Sequence, residues 1–302
     1  MGTPEFAVPS LRILLENNYA IRAVVTAPDK PRGRGQHLSP TPIKEVALKH
    51  GLPLLQPESL KEPGFADAVR ALHPDLIVVV AFRILPREVF TLARLGSFNL
   101  HASLLPKYRG AAPINWAIIN GERETGVTTF LLQEKVDTGS ILLQARLPIT
   151  DDDDAGTLHD KLADVGAEIV LHTVRMMEQG KTNPRTQEDS LASPAPKIFK
   201  DDCHINWNLP AASVRNFIRG LAPYPAAFAR HKGKILKLYK TRVLDVAPRE
   251  SSGSVVTTPT SLHVSTADTM LDIMELQQEG RKRMGVEEFL RGYRIGTGER
   301  FE

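Results

Sequence analysis

The stretch Leu76-Ile77-Val78-Val79-Val80-Ala81-Phe82 is the longest apolar run in the chain, and its reading decides the fold. It falls far short of the roughly 20 residues that a membrane span needs. β-Branched side chains dominate it, so it reads as a strand buried on both faces. Residues 20–27, Ala-Ile-Arg-Ala-Val-Val-Thr-Ala, have the same character, whereas 42–50 and 158–179 carry apolar side chains at helical spacing. Strands alternating with helices predict an α/β domain with a doubly wound, mostly parallel sheet. Ligands of such a sheet bind beyond the carboxyl ends of its strands.

Working outward toward the N-terminus, Gly2-Thr3-Pro4 reads as a turn into a helix whose apolar positions are Phe6, Val8, Leu11, Leu14 and Leu15. Alternating α/β domains feed such a turn from a buried strand. None precedes it here, so the expectation is a first strand upstream of Met1 and a recorded start at an internal methionine. Toward the C-terminus the long helix ends near Gly180, and residues 181–203 turn polar, with Pro184, Pro194 and Pro196. Beyond them, 234–243, 253–256 and 261–265 have the look of short strands in a small barrel. The expected division is an α/β domain over 1–182, a linker over 183–204 and a barrel domain over 205–302.

Composition narrows the class. Hydrophobic residues make up 42% of 302 and charged residues 24%, an ordinary globular balance that excludes wholesale disorder. The single cysteine, Cys203, excludes an internal disulfide and a cysteine-rich zinc site. The first six residues lack the basic start and apolar stretch of a secretory signal, so the cytoplasm is the expected address. From Ile205 to Glu302 there are 15 Lys+Arg against 10 Asp+Glu, net +5, which leaves 23 against 25, net −2, for the rest. A basic C-terminal third suits contact with phosphates, and it also suits a merely solvated basic face.

The densest chemistry lies in Phe98-Asn99-Leu100-His101-Ala102-Ser103-Leu104-Leu105-Pro106-Lys107-Tyr108-Arg109-Gly110. In an extended strand residues two apart share a face, so Asn99 and His101 project together where the strand opens into a loop. Asp137, in the turn Val136-Asp137-Thr138-Gly139 after an apolar strand at 127–132, is the third candidate. A carboxylate beside an imidazole orients it and supports its charged form. There is no Gly-x-Ser-x-Gly, no Gly-x-Gly-x-x-Gly, no phosphate-binding Gly-Lys-Ser/Thr and no His-Glu-x-x-His, so neither a nucleophile nor a metal site is indicated. Direct acyl transfer to an amine needs no protein nucleophile, because the amine attacks and the enzyme stabilises the oxyanion and moves protons. Capping or hydrogen bonding by the same three residues is the competing reading.

Asn99-Leu100-His101-Ala102-Ser103-Leu104-Leu105-Pro106, followed by Arg109-Gly110 and Asp137-Thr138-Gly139, resembles the signature of the 10-formyltetrahydrofolate-dependent formyltransferases. The resemblance implies catalytic roles for Asn99, His101 and Asp137. It places Ser103, Leu104, Leu105 and Pro106 against the folate, with 10-formyltetrahydrofolate as donor, tetrahydrofolate as product and no metal. Gly2-Thr3-Pro4-Glu5-Phe6-Ala7 and Pro28-Asp29-Lys30-Pro31-Arg32-Gly33-Arg34-Gly35 look like the members that act on methionyl-tRNA. In those the second segment is a loop approaching the acceptor end, which gives Lys30, Arg32 and Arg34 to the tRNA; an ordinary charged surface loop is the alternative.

Ile205-Asn206-Trp207, residues 214–221 and Pro223-Tyr224-Pro225-Ala226 extend the likeness to an oligonucleotide-binding-like barrel that supports the tRNA. Trp207, Tyr224 and Phe228 are expected in packing rather than base stacking. Two departures stand out: the absent first strand, and Ala81-Phe82-Arg83-Ile84-Leu85-Pro86 in place of an aromatic-Gly version of this loop, which sets Arg83 near the expected pterin pocket. The implied reaction is formylation of initiator methionyl-tRNA by a monomer with no membrane association. The rivals are an amino-sugar nucleotide formyltransferase and, in another class, a noncatalytic RNA-binding protein. A nicotinamide dehydrogenase fails for want of the glycine fingerprint.

Overall fold

The computed structural model of the chain describes residues 1–32 and 37–302. The decisive apolar run forms the strand Ile77–Val80, which pairs in parallel with Ser97–His101. On its other side Val80 forms a parallel bridge with Gly2, and the Gly2 amide donates to Val25 O at 3.0 Å. Met1 and Gly2 thus lie between Ile77–Val80 and the strand Val24–Val25, itself parallel to Leu54–Leu55. The Met1 ammonium donates to Val78 O at 2.7 Å, and burial lowers its pKa to about 5. Gly2 is required by this close approach, since a Cβ there would lie 2.9 Å from Val80 O.

Past Ser97–His101 the sheet changes sense. Glu124–Leu131 runs antiparallel to it, and Ile141–Pro148 antiparallel to Glu124–Leu131. The sheet is therefore mixed: parallel between Ile77–Val80 and Ser97–His101, and antiparallel beyond, where only the last two strands are joined by a direct return. The helix Ala155–Glu178 carries buried Leu158, Leu162, Val170 and Val174 at helical spacing. Gly166 lets it approach the sheet, where a Cβ would lie 2.7 Å from Leu100 Cδ2. Further along, the hydroxyls of Thr173 and Thr129 meet at 2.8 Å, so both buried groups are satisfied.

The C-terminal sheet is antiparallel and curled. Its order is Ala227–His231, Lys234–Leu244, Met270–Gln278, Leu262–Ser265, Val255–Thr257, with Met284–Gly285 also beside Met270–Gln278. The curl is bridged by the last residues. Val255 N donates to Glu299 O at 2.8 Å and Phe301 N to Gly253 O at 2.9 Å, while Arg230 and Glu302 exchange two bonds of 2.8 Å. Helix Ala211–Leu221 presents Val214, Ile218 and Leu221 to a core that includes Leu236, Leu238, Ile273 and Phe301. Trp207 and Phe228 are buried, as expected of packing residues. Tyr224 departs from that expectation at 82% exposed: Ala222 and Ala226 on either side of it pack with Tyr239, which leaves the ring outside.

The two compact units are not serial. One comprises 1–110, 124–148 and 159–195; the other comprises 111–123, 149–158 and 196–302. The stretch expected as a linker belongs, up to Ala195, to the first unit. Arg185 exchanges two backbone bonds with Ile141, and Pro194–Ala195 forms a parallel pair with Arg109–Gly110.

Candidate active site

Asn99 and His101 occupy one face of the Ser97–His101 strand, two residues apart, at its carboxyl end. Asn99 is half-buried, and among the described residues its side-chain amide has no hydrogen-bond partner. His101 is buried, packed edge-on against Phe130 with ring centroids 6.5 Å apart. Its Nε2 lies 2.8 Å from the Tyr108 carbonyl. A carbonyl can only accept, so Nε2 carries the hydrogen and Nδ1 bears the lone pair of the neutral ring. That Nδ1 faces Asp137 Oδ2 at 3.9 Å.

Asp137 sits at φ +55°, a left-handed conformation that Asp tolerates better than most residues. Its Oδ2 accepts from Gly110 N at 2.9 Å, which aims the carboxylate at the imidazole. Gly139 is needed for the same turn, because a Cβ would fall 1.6 Å from Leu131 O. The structure thus brings the Asp137 carboxylate to the His101 imidazole from a separate turn, with Asn99 on the same face of the strand that carries His101. The arrangement can hydrogen-bond a developing oxyanion from Asn99 and can take up or release a proton at His101 Nδ1 beside a fixed carboxylate.

The loop after the strand is held from beneath. Buried Thr128 donates its hydroxyl to Ser103 O at 2.6 Å and accepts from Leu105 N at 3.1 Å and from Gln144 Nε2 at 3.0 Å. Gln144 also donates to Leu105 O at 2.9 Å. Ser103 is fully buried and donates its hydroxyl to Lys107 O at 2.6 Å, and Leu105 is buried against Phe130 and Ile141. Of the four loop residues assigned to folate from sequence, Leu104 and Pro106 are half-buried, whereas Ser103 and Leu105 are buried.

Arg83 donates to Pro57 O at 2.8 Å and Glu58 O at 2.9 Å, with its guanidinium 5.4 Å from the Phe82 ring centroid. It pins the Pro57–Glu58 turn, and its Nε is buried without a partner among the described residues. Lys30 and Arg32 fall in the short strand Lys30–Arg32, antiparallel to His37–Ser39, and Arg34 lies outside the described residues. The base of this hairpin is fixed by Asp29, which accepts from Lys44 Nζ at 2.6 Å and Gln56 Nε2 at 2.9 Å; those bonds hold its carboxyl below the usual range.

Four residues around the site escaped sequence reading: Thr128, Gln144, Gln187 and Ser193. Gln187 is buried and donates to Asp137 O at 2.9 Å and Gly139 O at 2.8 Å. Its Oε1 accepts from Arg109 Nη2 at 2.7 Å and Nε at 3.1 Å. Arg109 also pairs with Asp189 at 2.7 Å, which lowers the pKa of that carboxyl. Ser193 Oγ accepts from Tyr108 N at 2.9 Å. The first two were visible only as polar residues in a strand pattern, and the last two only as members of a polar stretch.

Residues 1–174 match the formyl transferase family and residues 197–294 the formyl transferase C-terminal domain. The methionyl-tRNA formyltransferase of Caldanaerobacter subterraneus subsp. tengcongensis is 51% identical over 99% of this chain and 97% of its own. That of Bacteroides thetaiotaomicron is 47% identical over 99% and 96%. Among solved structures the fold is shared with WlaRD, a sugar 3N-formyl transferase, with a TM-score of 0.68 and 21% identity over 93% of this chain and 97% of that one. It is also shared with Aquifex aeolicus HypX in complex with tetrahydrofolic acid, with a TM-score of 0.60 and 19% identity over 82% and 44%. A carboxylate-facing imidazole, family matches over residues 1–174 and 197–294 and relatives of about 50% identity along nearly the whole chain lead to one conclusion: the chain belongs to the formyl transferase family.

Proposed function

We propose that the protein transfers the formyl group of 10-formyltetrahydrofolate to the amino group of methionyl-tRNA, the initiator species being its substrate. The observation that carries the reading is the Asp137 carboxylate facing His101, with Asn99 on the same face of the Ser97–His101 strand, in a chain 46–51% identical to methionyl-tRNA formyltransferases over nearly its whole length. Leu104 and Pro106, half-buried on a loop fixed by Thr128 and Gln144, are suited to hold the flat, apolar part of the donor, and the donor supplies the activated formyl carbon. The Asn99 amide donates to the formyl oxygen as negative charge develops there. His101, tautomerically fixed through Tyr108 O, handles the proton at Nδ1, and Asp137 steadies the charged ring. The monomeric state and the cytoplasmic address belong to the same reading; among the described residues no helix is long and apolar enough to cross a membrane.

The test is formyl transfer from 10-formyltetrahydrofolate to initiator methionyl-tRNA, with uncharged tRNA and an amino-sugar nucleotide as comparison acceptors. Turnover on methionyl-tRNA alone supports the proposal. Turnover on the amino-sugar nucleotide alone would move the chain to the rival substrate class.

A further inference from the structure

Both groups of the proposed proton-handling pair are gripped from the same side by one segment, and nothing in the reaction itself asks for that. Asp137 reaches the left-handed turn at φ +55°, and its own carbonyl and that of Gly139, two residues on, are tied together by the single Gln187 amide. The opposite end of that side chain is clamped by the Arg109 guanidinium, next door to the Gly110 amide that orients the Asp137 carboxylate. Six residues further on, Ser193 takes both the Tyr108 and Arg109 amides, through Oγ and its carbonyl, at 2.9 Å each. Tyr108 in turn offers its carbonyl to His101 Nε2. Gly110, at φ +128°, runs so close to this segment that a Cβ would lie 2.5 Å from Ala195 O.

We propose that residues 185–195 form a positioning strap, in which Gln187 sets the Asp137 carboxylate and Ser193, through Tyr108, sets the ring plane and tautomer of His101. The inference rests on the catalytic reading of those two residues. Neither strap residue touches a reacting atom. Their effect lies in the 3.9 Å separation of His101 Nδ1 from Asp137 Oδ2, which is wider than a hydrogen bond and therefore held by the surroundings rather than by mutual contact. An arrangement of this kind loses rate steeply when displaced, while substrate binding, made elsewhere, is spared.

The full-length protein carrying Gln187→Ala, Gln187→Glu, Asp137→Asn, or Gln187→Ala with Asp137→Asn is measured for single-turnover formyl transfer. The KM for each substrate, the affinity for tetrahydrofolate and the thermal midpoint are measured alongside. Gln187→Ala is expected to slow the chemical step about 10- to 100-fold, with both KM values and the tetrahydrofolate affinity within about twofold. Gln187→Glu, whose carboxylate still accepts from Arg109 but cannot donate to the two carbonyls, is expected to behave like Gln187→Ala. The double variant should be no slower than Asp137→Asn alone, because a residue that acts through Asp137 has nothing left to position. A wild-type rate in Gln187→Ala, or full additivity in the double variant, overturns the proposal. A wild-type rate in Asp137→Asn overturns the catalytic reading beneath it, a separate outcome. Should Gln187→Ala fail to fold, Ser193→Ala against His101→Ala carries the same comparison.

Discussion

Asn99 and His101 stand two residues apart on one strand, and under the proposed mechanism both act on the chemical step rather than on tRNA affinity. Replacing Asn99 by alanine removes the donor proposed for the developing oxyanion, and the expected loss in kcat is about 10²- to 10³-fold. His101→Ala should lose at least as much, because its Nδ1, 3.9 Å from Asp137 Oδ2, is the atom proposed to handle the proton. Affinity for methionyl-tRNA, measured by filter binding, should hold for both, and a matching loss of affinity would remove their catalytic roles. Gly139→Ala tests the turn instead. With a Cβ 1.6 Å from Leu131 O, the strand end must move, and urea unfolding should show a loss above about 3 kcal/mol. At this scale the sequence was informative where geometry is local. Asn99 and His101 share a face by strand periodicity alone, and the Asp137 turn is marked by its glycine. Gln187 reaches Asp137 across 50 residues and Ser193 reaches Tyr108 across 85, and no pattern along the chain encodes which polar residue of a loop will close such a gap.

Among the elements, the Ser103–Tyr108 loop owes its shape to the hydroxyl of Thr128, which is fully buried and serves three partners. Thr128→Val keeps the shape and strands those partners, at a cost of about 1–3 kcal/mol in equilibrium unfolding. If Leu104 and Pro106 hold the folate donor as proposed, the same change should also raise its KM, since both lose their support. The C-terminal segment offers a second test. Glu299 accepts from Lys232 at 2.7 Å and from His231 at 2.8 Å, and chiefly through Lys232 its pKa is held down from 4.5 to about 2. A depressed carboxyl stabilises the fold above its unfolded value and loses that contribution as pH falls toward the folded one. The stability gap between the wild type and Glu299→Gln should therefore be full at pH 7, shrink from about pH 4.5 downward and vanish near pH 2. Element positions were only partly legible. The apolar run at 20–27 predicted a long strand, and only Val24–Val25 pairs, because its neighbour Leu54–Leu55 offers two residues. The strand Met270–Gln278 went unread because Asp272 and Glu275 interrupt its alternation; Arg242 pairs with the first and Arg283 with the second.

For the molecule as a whole, charge distribution governs how it meets a polyanion. The excess of +5 beyond residue 204 predicts that affinity for methionyl-tRNA falls with salt. Two neutralised phosphates already give about tenfold between 50 and 200 mM, whereas the KM of the folate donor should change far less. Equal salt dependence for the two substrates would remove the electrostatic account of tRNA binding. The α/β class and the curled C-terminal sheet were both legible, the first from long β-branched runs and the second from short strands set between turns. Composition marks where a chain is polar and not which side a polar stretch bonds to, so the passages of the chain between its two compact units carry no mark of their own in the sequence. The chain changes unit five times, at 110/111, 123/124, 148/149, 158/159 and 195/196. A protease that nicks any one of these joints leaves four uncut, so a clipped molecule should migrate as two bands under denaturing conditions yet elute as one species in native buffer. During synthesis the second unit must likewise keep its two early pieces waiting until the last hundred or so residues leave the ribosome.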